Sequence, residues 1–299
     1  MVSKGTVLRT GGGRIRLVWR LLLFLIVATV LTVAAAAVVP AGLVGSAAAT
    51  LVGAVGAGVL ALWLEGRSPG ALGFYVARSV PAEAGRGLAV GALLAVVVIG
   101  AIGVAGGARW HVEGGSGVGW AEAGAEALAL FALPAAAEEA LLRGYLLQAL
   151  AESWGAGWAL WLTSVAFGAL HIPNPGSTVL GAINTGAAGL FLGAIYLRTG
   201  SLWWAAGAHL GWNWTLGFLA DLRVSGLDLV NAPLVEGVST GPAWLGGGTF
   251  GPEGSVLATI GFLGAAALCW WGPWLRPTDA ARSRRPLALK EPAVGKKDG

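Results

Sequence analysis

The sequence predicts an all-α fold, a polytopic membrane protein with about eight transmembrane helices. Three observations carry this reading. Of 299 residues, 56% are hydrophobic and only 11% charged, with a mean hydropathy of +0.73; a soluble chain carries about 25% charged residues. The apolar residues fall in continuous runs close to the ~20 residues that span a hydrocarbon core of about 30 Å. Those runs also lack the strict alternation that a membrane β-barrel requires. Disorder is excluded, because a disordered chain needs low hydrophobicity and high net charge. The one cysteine, Cys269, excludes an intramolecular disulfide, a CxxC redox motif and a cysteine zinc cage. A net charge of +4 and a pI near 9.6 do not amount to a nucleic-acid footprint, since the basic residues collect at the chain ends.

Residues 1–20 read as a basic cytoplasmic N-terminus, with Lys4, Arg9, Arg14, Arg16 and Arg20 and no acid. Apolar windows at 21–39, 43–64 and 87–107 make residues 21–120 an N-terminal set of helices. The first window is longer than a signal-peptide h-region and a second follows at once, so it reads as a retained anchor. Windows at 121–150, 155–171, 179–197 and 202–220 form a core, 121–220. An extracytoplasmic loop at 221–254 leads to a last helix at 255–275 and a basic cytoplasmic tail at 276–299, read as a solvated extension. Sixteen basic residues lie on the side of the two ends and only Arg109 and Arg223 lie opposite, while the 221–254 loop holds Asp221, Asp228, Glu236 and Glu253. Both termini are therefore expected in the cytoplasm, with an even number of spans across the plasma membrane. The fourth window is over-long and contains Pro134, which predicts a kink, tilt or re-entrance. Gly87-x-x-x-Gly91 and Gly189-x-x-x-Gly193 are small-residue seams for helix packing, and tryptophans such as Trp63, Trp110, Trp203, Trp204 and Trp271 read as an interfacial belt. No internal repeat or inverted pair of broken helices points to a transporter.

Few ionisable groups remain inside the spans: Glu138, Glu139 and Arg143 on the fourth, His171 ending the fifth and His209 on the seventh, with Asn184 and Asn213 as polar companions. A charge at bilayer depth costs about 2.5–3.5 kcal/mol even on a lenient scale, so each needs a partner or a purpose. Glu139 and Arg143 are four residues apart on one helix face and can pair. Glu138 points about 100° away and is left as a free carboxylate, suited to a general base. The plainer reading is a buried packing pair with an incidental acid. Phe167-x-x-x-His171 and His209-x-x-x-Asn213 each share a helix face; an imidazole and a carboxamide are natural donors to an oxyanion, and the other imidazole can share a water with Glu138. Interhelical hydrogen bonding is the alternative for both histidines and for Asn184. In straight spans His171 falls near the outer end and His209 nearer the inner side, so the three side chains are not expected level.

Glu138-Glu139-Ala-Leu-Leu-Arg143-Gly144-Tyr145, then Phe167-Gly-Ala-Leu-His171, then His209-Leu-Gly-Trp-Asn213 together resemble the CPBP family, the CAAX-prenyl-protease and bacteriocin-processing intramembrane proteases also called Abi. The resemblance covers about 121–220. It implies an eight-helix core and an intramembrane endopeptidase acting on a membrane-associated protein or peptide within the lipid bilayer, with no nucleic-acid partner. It implies Glu138 and His171 as the catalytic pair that activates water, His209 and Asn213 as the oxyanion donors, and Glu139 and Arg143 as supporting residues. No cofactor is required in this mechanism. The alternative is a zinc metalloprotease with Zn2+ on Glu138, His171 and His209 and one open position; against it, there is no His-Glu-x-x-His helix, and a metal on His209 would remove the donor beside Asn213. A non-catalytic scaffold or bacteriocin-immunity protein of the same fold is the remaining alternative.

Overall fold

The computed structural model describes residues 7–8 and 15–284; Lys4, Arg9, Arg14 and the tail beyond residue 284 lie outside the described residues. Three apolar helices come first: α1 (Leu17–Ala36), α2 (Leu43–Leu64) and α3 (Val80–Val104). Strand β1 (Ala108–Val112) precedes α4 (Gly117–Glu139), which runs through a π-helical turn, Ala140–Gly144, into α5 (Tyr145–Trp154). Then follow α6 (Ala156–Leu170), α7 (Val179–Thr199) and α8 (Leu202–Trp214), the last passing into a second π-helical turn, Thr215–Leu219. Strand β2 (Val235–Ser239), the single turn α9 (Ala243–Gly246), α10 (Val256–Trp271) and α11 (Asp279–Ser283) complete the described chain.

Helical rods thus occupy all eight apolar windows, the architecture of an all-α polytopic membrane protein. Four of them, α1, α2, α3 and α7, are long and apolar enough to cross a membrane by themselves. The other four are short or broken by π geometry, and three of these carry the motifs. In a medium without water a helix start needs internal partners for its free N–H groups. Side chains of Ser116, Thr178, Ser201 and Ser255 supply them by accepting from Gly119, Gly181, Trp204 and Ala258, starting α4, α7, α8 and α10.

Close packing of α3 on α8 sets the position of the third motif. A Cβ on Gly87 or Gly91 would collide with the backbone of Trp204 or Ala208, and one on Gly207 or Gly211 with that of Ala84 or Leu88. Two glycine seams therefore face each other with backbones in contact. On α7, Gly189 and Gly193 face Ser164 and Leu160 of α6 in the same way.

The connection between α2 and α3 is not a solvated loop. Ala71, Leu72 and Tyr75 are buried, Gln148 donates to the carbonyls of Ala71 (3.1 Å) and Gly144 (2.8 Å), and the Tyr196 hydroxyl donates to Leu72 O (3.0 Å). The Leu202 N–H donates to Gly73 O at 3.0 Å, so α8 starts on this inserted segment, with Leu202 against Gly144 at the end of the π turn. The depth mismatch expected of straight spans is not observed, because Glu138 Oε2 lies 3.9 Å from His171 Nε2 and 3.8 Å from His209 Nε2.

Two further expectations change. Trp204 is 7% exposed and belongs to the core rather than to an interfacial belt. The first part of the tail is docked rather than solvated: Thr278 donates to Glu83 (2.8 Å) and Ala281 is buried. The 221–254 loop is folded as well. Strand β2 pairs antiparallel with β1, and the Asp221 carboxylate accepts from the Ala232 and Gly237 amides.

Candidate active site

Glu138 and Glu139 end α4, and the π turn follows immediately. A π turn adds one residue to the ring of each backbone hydrogen bond and re-aims the side chains around it. The second π turn, Thr215–Leu219, begins two residues after Asn213, so two of the three motif-bearing helices leave α geometry near the site. π-bulges of this kind are frequent at functional sites.

The two adjacent glutamates meet different surroundings. Glu139 is fully buried; its Oε1 lies 3.1 Å from Arg143 Nη1 and 3.1 Å from His209 Nδ1. Arg143, also fully buried, donates from Nη2 to Gly189 O at 3.3 Å and lies over the Phe167 ring, 4.4 Å from its centroid. Phe167 in turn meets the His171 and His209 rings edge-on at 4.7 and 5.8 Å. Glu139 thus joins α4 to α8, and Arg143 joins α4 to α7.

The Glu138 side chain is 34% exposed, and its Oε2 has no hydrogen-bond partner. Oε2 lies 3.9 Å from His171 Nε2 and 3.8 Å from His209 Nε2, too far for direct hydrogen bonds but near enough to share one through a water. His171 caps the C-terminus of α6, and its Nδ1 is 2.8 Å from Phe167 O, one of the carbonyls left free at a helix end. With Nδ1–H donating to a carbonyl in His171 and to a carboxylate in His209, both rings turn Nε2 toward Glu138. Asn213 is half-buried and lines the same cavity as Glu138 and the two histidines. All six side chains singled out in the sequence therefore lie in one neighbourhood. Asn184 does not: its amide donates to the carbonyls of Glu253 and Ser255 and its oxygen accepts from Thr259, fixing the start of α10.

A cavity of about 250 Å³ opens on Glu138, His171, His209 and Asn213, walled by Pro134 of α4 and Leu227 of the 221–254 segment. A second space of about 20 Å³, enough for one water, lies behind Asn213 and His209. Among the described residues no group of three or more His, Cys, Asp or Glu side chains is arranged to hold a metal ion. Sequence reasoning missed three residues here. Glu253, counted as a loop acid, is buried and borders the small space with Ser225, while Trp212, inside the third motif, donates to Glu253 at 3.0 Å. Only Trp212 had any sequence signal, through its place in the motif; nothing local marks an acid within Gly251-Pro-Glu-Gly-Ser255 as buried.

No curated protein and no solved structure matches the chain. Residues 120–215 match the family model described as Rce1-like, type II CAAX prenyl endopeptidase, and that segment holds all three motifs and every residue from Glu138 to Asn213 that converges on the cavity. Over this segment, about a third of its length, the chain is similar to the Rce1-like CAAX prenyl endopeptidases.

Proposed function

We propose that the chain is an intramembrane endopeptidase that hydrolyses a peptide bond in a membrane-associated substrate by a metal-free glutamate mechanism. The observation that carries this reading is the asymmetry of the glutamate pair: Glu139 is fully buried and bound through Oε1 by Arg143 and His209, whereas Glu138 is 34% exposed and lines the cavity with Oε2 between two imidazole Nε2 atoms and no direct hydrogen bond. A water held between Glu138 and His171 gives its proton to Glu138, and its oxygen attacks the scissile carbonyl. The carbonyl oxygen becomes an oxyanion. When protonated, His209 donates to it from Nε2, because Nδ1–H is already engaged by Glu139, and the Asn213 amide donates beside it. Glu138 then returns the proton to the leaving amine as the C–N bond breaks, so charge and atoms balance. The supporting Glu139 and Arg143 are fully buried, which strengthens the interactions that hold His209 in place.

The family description makes a C-terminal CAAX segment carrying a prenylated cysteine the substrate class to try first. The distribution of basic residues supports cytoplasmic termini in a plasma membrane. The test uses purified chain in detergent or nanodiscs with a quenched fluorescent S-farnesylated peptide. Cleavage should be lost in Glu138→Gln and unaffected by chelators. Cleavage abolished by a chelator and restored by Zn2+ would replace this mechanism with the metalloprotease one; full activity in Glu138→Gln would remove Glu138 from the chemistry.

A further inference from the structure

Two non-glycine residues among those described have a positive φ, Asp221 at 49° and Ser225 at 47°, and both lie in the segment that follows the second π turn. Ser225 and Gly226 (φ 83°) form the tip of a two-residue hairpin closed by reciprocal hydrogen bonds of 2.9 Å between Val224 and Leu227. Positive φ at both central positions is the signature of a type I′ turn, which serine adopts less readily than glycine or asparagine. Such a conformation persists when its surroundings over-determine it.

Three tethers do so here. The Gly226 amide donates to Phe250 O (2.9 Å), and Asn174, just beyond His171, donates to Ser225 O (3.0 Å). The third is Glu253. Its Oε2 accepts from the Ser225 amide (2.5 Å) and hydroxyl (2.7 Å), while its Oε1 accepts from the Trp212 indole (3.0 Å). Among the described residues no cation pairs with this buried carboxylate, and its oxygens are spent on hydrogen bonds that join the hairpin tip to the turn of α8 before Asn213. Ser225 borders both the large cavity and the small space behind Asn213, and Val224, Leu227 and Leu229 give the large cavity an apolar wall opposite Glu138.

We propose that Glu253 is a positioning residue that clamps the 224–227 hairpin as one wall of the substrate cavity, and that this wall holds apolar side chains flanking the scissile bond. This rests on the endopeptidase reading of the site. At the reacting centre Glu139 is held by Arg143 and the His171 ring by Phe167 O, bonds in which the hairpin takes no part. Loosening the clamp therefore weakens substrate binding and spares the chemical step.

The experiment measures cleavage of the S-farnesylated peptide together with alkylation of a cysteine at position 227. Glu253→Ala should raise KM about 10-fold with kcat held within about threefold, the pattern of lost uniform binding. Glu253→Gln, which still offers one oxygen to Ser225, should raise KM less. In a Cys269→Ala background carrying Leu227→Cys, Glu253→Ala should speed maleimide alkylation about 10-fold as the hairpin opens more often. An unchanged KM, a loss confined to kcat, or unchanged alkylation overturns the proposal. Should Glu253→Ala fail to accumulate in membranes, Ser225→Ala removes only the hydroxyl arm and should raise KM by a smaller factor; no rise overturns it equally. Alkylation needs no turnover, so it judges the clamp even if Glu138→Gln stays active and the endopeptidase reading fails.

Discussion

Two clusters of buried charge lie at and beyond the first π turn, and they are built differently. Beyond it, Arg20 of α1 pairs with Glu65 (2.8 Å) and Glu152 (2.8 Å), Arg67 reaches Glu152 at 3.5 Å, and the Tyr145 hydroxyl joins Arg20 to Glu65. Every member there has a partner of opposite charge or a hydrogen bond, and the cluster ties α1, α2 and α5 together. At the turn, Glu139 of α4 pairs with Arg143 of the π turn, Glu139 Oε2 and Arg143 Nε are left without partners, and Glu138 stands beside them facing the cavity with two imidazoles at 3.8–3.9 Å. A saturated cluster explains itself by stability. An unsaturated one facing a cavity marks a candidate functional site, which the proposed water and substrate carbonyl would complete.

The contrast can be broken from either side. The largest effect belongs to the open cluster: Glu138→Gln should lower kcat by about 10³-fold or more while the melting temperature in detergent stays put, since general-base catalysis contributes about 10²–10⁴-fold. A large fall in melting temperature would move Glu138 into the structural class. Next, Asn213→Ala should cost about 10²–10³-fold in kcat with little change in KM, as expected for an oxyanion donor; an effect confined to KM would count against that role. Arg143→Ala strands Glu139 in a buried site and should destabilise the protein by about 3–5 kcal/mol, whereas the double replacement Glu139→Gln with Arg143→Met should be milder. Equal losses in the single and double variants, followed by thermal unfolding, would show that the charges are not coupled. The smallest effect falls on the closed cluster. Arg20→Ala should lower stability by about 1–3 kcal/mol, because its partly exposed partners can recruit water, and should leave kcat unchanged at permissive temperature.

Much of this was legible in the sequence, and the reasons are physical. Glu139 and Arg143 are separated by one helical turn, so their pairing follows from period alone. Continuous apolar windows mark helices because no other backbone arrangement satisfies its hydrogen bonds within a single segment in lipid. Arg20 shows the limit of such reading. It counts with the basic N-terminus in any charge tally, yet in the fold it is buried against residues 45, 125 and 132 positions away. Glu253 shows the same limit, because its partners Trp212 and Ser225 lie 41 and 28 positions back along the chain.

By itself the sequence determined the class, the eight windows and the pairing of Glu139 with Arg143, which depend on local periodicity and composition, while its three ordered motifs carried the family resemblance over about 121–220. Tertiary structure decided the rest. It interrupted α4 and α8 with π turns, hydrogen-bonded the start of α8 to the inserted 65–79 segment, and folded the 221–254 segment back so that Glu253 and Ser225 border the site. Those outcomes depend on which backbones can approach closely and which distant donors find a buried carboxylate, and neither property is encoded in any short window of the chain.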